Sequence, residues 1–156
     1  MESTVLNSNW LVASEIELIY KSRVKASERP KIVSSQSAFK IALKAWDENK
    51  IELLEQFKVL MLSNSNRVLG VLEISSGGIT GTVVDLRLIF AALLKAKATA
   101  CILVHNHPSG KLDPSEADKQ ITAKIKQASQ ILDIALLDHL IITPESYYSF
   151  ADEGVL

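Results

Sequence analysis

The chain has 156 residues, 47% of them apolar, and a formal net charge of −1. That length suits one domain around a single core, and the charge supplies no global basic field of the kind that draws a protein to nucleic acid. Cys101 is the only cysteine, which excludes an intrachain disulfide and a cysteine-based zinc site. No apolar run reaches the length of a membrane span and the N-terminus lacks the basic and apolar regions of a signal peptide, so a cytoplasmic protein is expected.

In chain order, residues 1–30 read as an N-terminal extension. Within it Glu15 to Val24 alternates, with Ile16, Leu18 and Tyr20 on one face, and reads as an edge strand; Ala26 to Lys31 is a charged turn around Pro30. Residues 31–156 form the domain proper. Ser37 opens a helix with the stripe Phe39, Ala42/Leu43 and Trp46, ending near Asn49. Glu55 to Leu62 is apolar on both faces after its first residues, which places it centrally in a sheet. Asn64-Ser65-Asn66 turns the chain into a second strand, Arg67 to Ser75, so the two make a hairpin. After Gly77-Gly78, Ile79 to Val84 reads as a third strand. Asp85 then caps a helix that buries Leu86, Ile89, Leu93 and Ala96.

Ala100 to Val104 is a short apolar run of buried-strand type that ends on His105 and His107. Cys101 within it reads as a small core residue. Side chains alternate across a strand, so both imidazoles project to one face while Asn106 points away. Pro108 and Ser109-Gly110 break the strand. A helix follows, with Asp113 as N-cap, Pro114 at its first position and Glu116 three residues after the cap. Ser115 and Asp118 then lie three apart on one face near its start. Its apolar stripe is Ile121, Ile125, Ala128 and Leu132. Ile134 to Ile142 reads as another strand, Tyr147 to Phe150 as a short one, and Asp152-Glu153-Gly154 as a turn. The pattern is an α/β domain, a mixed sheet flanked by helices.

Two imidazoles at a strand end and a carboxylate in the next helix's first turn can converge on one ion. Three N/O ligands and a water make the open arrangement of a catalytic zinc site. The full string is H-x-H-P, six residues, then S-x-x-D, and it resembles the JAMM signature of the JAB/MPN metalloproteases. H-N-H-P-S-G and the later L-D-H-L-I-I resemble most closely the bacterial RadC-like branch. The resemblance covers Glu55 to Ile142 firmly and residues 1 to about 50 only loosely. It implies a sheet flanked by helices, related in layout to the cytidine deaminases. It also implies one Zn2+ on His105, His107 and Asp118.

The same resemblance implies a general base upstream, a Glu at a strand start, and Glu55 in E-Q-F-K-V-L-M-L matches that position best. Glu73, in V-L-E-I-S-S, is the competitor if the register differs. Ser115 would donate to the oxyanion; the alternative is a hydroxyl bonding the helix terminus. His139 with Asp138 forms the D-H pair of RadC-like chains, and either orients a ligand or contacts substrate, or is a core histidine bonded to a backbone carbonyl. The implied activity is zinc-dependent hydrolysis of an amide or isopeptide bond in a peptide or protein substrate. A DNA-repair role on the same metal site is the second reading, which the near-neutral charge does not favour. A metal-free scaffold is the third; such chains lose the ligands that this one keeps. The H-x-E with P-C-x-x-C of zinc deaminases and the H-E-x-x-H of other metalloproteases are absent.

Overall fold

Two segments buried on both faces, β1 (Gln56–Leu62) and β3 (Ala100–Asn106), fit only in the middle of a sheet, and they lie side by side there. The computed structural model describes residues 21–78 and 82–156. Within them the sheet has five strands in the order β2-β1-β3-β4-β5. β2 (Val68–Ser76) pairs antiparallel with β1 through a tight hairpin, where Asn66 takes the left-handed conformation (φ 57°) that asparagine tolerates. β1 runs antiparallel to β3. β4 (Ala135–Ile142) runs parallel to β3, and β5 (Tyr147–Ser149) closes antiparallel on β4. The sheet is therefore mixed, as the pattern of elements implies.

Helices cover both faces. α1 (Ser35–Lys44) lies on one, where Ala38, Ala42 and the following Trp46 pack on Leu60, Ile102, Val104 and Leu140. α2 (Leu86–Lys95) and α3 (Glu116–Ile131) share the other, where Ile89, Leu93 and Ile125 pack on Phe57, Val59, Cys101 and Leu103. Strand parity divides the central residues between these two cores, so Phe57 and Val59 face the same side as His105. Among the described residues no helix is long and apolar enough to cross a membrane.

Several expectations need correcting. The helix expected from Ser37 starts at Ser35, because Ser34 is its cap and Ser37 reaches back to that cap; it ends at Lys44 rather than near Asn49. The strand expected over Glu15 to Val24 falls mostly outside the described residues, and 21–24 are not strand. Of the strand expected over Ile79 to Val84, the described part, 82–84, is irregular. Val84 packs under α2 while Val83 is 88% exposed. β-Branched residues favour a strand only where a neighbouring ladder receives them. Along α3 the buried positions are Thr122, Ile125 and Ser129; Ile121 and Ala128 are partly buried, and Leu132 lies past the helix end and is exposed.

Candidate metal centre

The site forms where β3 ends and α3 begins. His105, 1% exposed, is the penultimate residue of β3 and stacks on Phe57 across the β1 pairing. Asn106 turns to the opposite face. There its amide donates to the carbonyls of Ile51 and Leu54, and its oxygen accepts from the Gln56 N–H, tying the end of β3 to the entry of β1. His107 follows, on the same side as His105. Gly110, at φ 81°, reverses the loop so that the Lys111 carbonyl accepts from His107 Nδ1 at 2.7 Å. A carbonyl only accepts, so the proton is on Nδ1 and Nε2 is turned inward.

The helix start differs from expectation. The N-cap is Ser115, not Asp113, and the residue at its third position is Asp118, not Glu116. Ser115 Oγ accepts from the Asp118 N–H at 3.0 Å, and the Ser115 N–H donates to Asp118 Oδ2 at 2.7 Å. Both Asp113-to-Glu116 and Ser115-to-Asp118 fit the capping-box spacing, and the chain uses the later one. The capping interaction fixes the Asp118 carboxylate over the strand end.

There the three groups meet. His105 Nε2 lies 3.0 Å from His107 Nε2 and 3.2 Å from Asp118 Oδ1, and His107 Nε2 lies 3.4 Å from Asp118 Oδ2. Ligand atoms arranged tetrahedrally about an ion at zinc-like bond lengths of about 2.0–2.1 Å are about 3.4 Å apart. Two imidazoles and a carboxylate at this spacing could hold a divalent metal ion. The electrostatics agree. Burial pushes the Asp118 carboxyl up, but the His105 and His107 rings beside it outweigh that and hold the group well below the usual carboxylate range. Burial lowers His107, but Asp118 and the Lys111 carbonyl together raise it above the ordinary imidazole value. The cluster draws positive charge.

Behind His105 sits His139, fully buried in β4, its ring stacked on Phe150. Its Nε2 is 2.8 Å from His105 Nδ1, and its Nδ1 is 2.6 Å from Thr122 Oγ1. Burial, reinforced by neighbouring His105, lowers its pKa well below the ordinary value, so the ring is neutral. Thr122 was missed in the sequence, where a polar residue beside the stripe reads as solvent-facing. Its spacing of four from Asp118 was the available signal, since residues four apart share a helix face.

The remaining predicted residues separate cleanly. Glu55 precedes β1, and carrying the Phe57–His105 register one pleat further sets it level with His107. With Glu52, Asp113, Ser115 and Asp118 it lines an open groove of about 740 Å³ beside the imidazoles. Glu73 pairs with Lys58 on the α1 side of the sheet, 3.9 Å from its ammonium, and accepts from the Gln56 amide, so it faces away. Asp138 is likewise on that other side. It accepts from the Ser149 hydroxyl and from the His139 and Ala151 amides, so it shapes the β4–β5 corner and is not part of the site. Ser115 Oγ accepts one bond as cap, which leaves its own proton to donate toward the groove.

A mixed sheet with helices on both faces, and a His-x-His strand end facing a helix-borne aspartate, define a domain of the JAB/MPN layout. Within that class, the pattern of the RadC-like JAB domain matches residues 32–155, and the chain belongs to that family. It is 55% identical over 125 residues to a UPF0758 protein of Flavobacterium johnsoniae, covering 80% of this chain and 53% of that protein. It is 37% identical over 146 residues to one from Chlorobaculum parvum, covering 93% and 64%. With one from Porphyromonas gingivalis it shares 44% over 103 residues, covering 65% and 45%. The chain thus spans about half the length of the curated relatives it matches. Their shared name states no activity.

Proposed function

We propose that this domain is a zinc-dependent hydrolase of the JAMM type, a metallopeptidase that cleaves an amide or isopeptide bond in a peptide or protein. The observation that carries this is the convergence of His105 Nε2, His107 Nε2 and the Asp118 carboxylate at 3.0 to 3.4 Å, beside an open groove that also holds Glu55. The donor set is the N/N/O type that suits zinc and is open on the groove side. Zinc held there would supply an acidified water at neutral pH and polarise the substrate carbonyl. Glu55 takes the proton of the attacking water and passes it to the leaving amine. The Ser115 hydroxyl donates to the developing oxyanion, an interaction worth roughly 2.7–4 kcal/mol in the transition state.

A polypeptide suits the groove better than a polyphosphate. Its charged lining is Glu52, Glu55, Asp113 and Asp118 against Lys111, and carboxylates in excess repel a nucleic-acid backbone. The test is metal analysis of the purified chain followed by digestion of a peptide library with the wild type and with Glu55→Gln. The expected result is bound zinc in both, and cleavage reduced about 10²–10⁴-fold in the variant. Zinc-loaded protein that nicks DNA and spares every peptide would replace this reading with the DNA-processing one.

A further inference from the structure

His105 differs from His107 in how it is held. His107 is fixed directly by a carbonyl, which leaves its proton no choice of nitrogen. His105 Nδ1 meets another imidazole, which can accept or donate. On that contact alone His105 could carry its proton on Nε2, aimed into the cluster, where no cation could then bind.

The ambiguity is resolved two bonds away. Thr122 Oγ1 lies 2.6 Å from the main-chain oxygen of Asp118, one helical turn earlier, and that oxygen only accepts. The hydroxyl has one proton and spends it there. Toward His139 Nδ1 it can therefore only accept, so Nδ1 of His139 carries the hydrogen. A fully buried imidazole with no carboxylate against it is neutral, so His139 has no second proton and its Nε2 is a lone pair. His105 must then donate from Nδ1, and its Nε2 lone pair faces Asp118 and His107.

We infer that Thr122 and His139 are positioning residues that set the tautomer of His105 through a directional relay, Asp118 carbonyl to Thr122 hydroxyl to His139 to His105, and so keep its Nε2 open for a metal ion. The surroundings suit this task. Phe57 stacks on His105 and Phe150 on His139, with ring centroids 5.9 and 4.8 Å apart, so neither ring can turn over without breaking its packing. Thr122, His139 and His105 are all buried, so water does not enter between them to reverse the relay.

The inference rests on the proposed metal site, but its first readout needs no metal. In the metal-free full chain, long-range ¹H–¹⁵N correlation of the imidazole rings should show His105 as the Nδ1–H form. Thr122→Val removes the hydroxyl at constant shape and frees His139 to reverse, so His105 should shift toward the Nε2–H form. Zinc affinity, measured by competition with a chromophoric chelator, should fall about 10–100-fold in Thr122→Val and His139→Phe, the range for outer partners of a ligating histidine. Thr122→Ser, which keeps the hydroxyl, and His139→Gln, which can both accept and donate, should recover most of it. A wild-type His105 protonated on Nε2, or Thr122→Val binding zinc as tightly as wild type, overturns the inference. If His139→Phe does not fold, the wild-type spectrum and the Thr122 pair still decide. Zinc affinities in the expected order with no peptide cleaved would sink the hydrolase and leave the relay standing; peptide cleavage with unaltered affinity in Thr122→Val would do the reverse.

Discussion

Asp138 and His139 are neighbours in β4, both polar and both buried, and they project to opposite faces of the sheet. On the α1 side the Asp138 carboxylate collects three donors, from Ser149, Ala151 and the His139 amide, and that cluster is complete. On the α3 side the chain of bonds through His139 ends in two imidazole nitrogens and a carboxylate that face one another. Burial and polarity are common to both. What separates them is hydrogen-bond closure: the Asp138 carboxylate meets a donor on every side, and the second cluster turns two ring nitrogens and a carboxylate on one another. A buried polar group is thus a guide to function only after its donors and acceptors have been counted.

The sharpest way to break that comparison is to disable the open cluster without disturbing its support. Asp118→Asn keeps an oxygen for the Ser115 amide, so α3 retains its cap, but it removes the charge. Zinc affinity should fall by more than the roughly 100-fold expected for an outer partner. Metal-free stability should fall as well, because a carboxyl held below its ordinary range by its neighbours stabilises the folded chain and an amide does not. A chelator titration and a denaturant melt measure the two, and tight zinc binding by the variant would mean that the three groups do not act as a ligand set. The closed cluster should respond the other way. Asp138→Ala strands three donors, and unsatisfied buried groups cost roughly 1–3 kcal/mol each. Partial rehydration of the β4–β5 corner brings the expected loss to about 2–3 kcal/mol in urea unfolding, with zinc affinity of the folded protein unchanged.

Zinc itself sharpens the contrast. At a free concentration 100-fold above its dissociation constant it should stabilise the native state by about 2.7 kcal/mol, several degrees in melting temperature, and do nothing for Asp118→Asn. The smallest effect is expected at Cys101, a nucleophile on the same face as His105 yet buried among apolar residues. Burial pushes its thiol up to about 12, so the reactive thiolate is suppressed. Native protein should resist iodoacetamide at about pH 8 while unfolded protein reacts, and Cys101→Ala should bind zinc as wild type does.

The parts of this molecule that were legible in the sequence are those governed by short-range rules. Strand parity sends His105 and His107 to one side and Asn106 to the other, and the runs around Val59 and Ile102 announce central strands. Asp118 belonged to the same motif. Where two local rules competed, sequence alone could not choose. Asp113-Pro114-Ser115-Glu116 and Ser115-Glu116-Ala117-Asp118 are both good helix starts, and the later one prevails in the folded chain, where Asp118 also meets two imidazoles. Thr122 and His139 are 17 residues apart and lie on different elements, so their bond depends on how α3 docks against β4. Asp138 and His139 are adjacent in sequence, which suggests a pair, but in a strand adjacency means opposite faces and the pleat separates them.

Asp118 offers its carboxylate to the strand-end imidazoles and its main-chain oxygen to Thr122, while the Ser115 amide grips the same carboxylate. The first turn of α3 is therefore pinned from its side-chain end and its backbone end at once. Sliding the helix by a single residue, about 1.5 Å along its axis, would break both attachments together. An ion arriving at the cluster would be felt as stiffness along residues 118–122, and the exchange of their amide hydrogens with solvent would record its presence at a distance from any substrate.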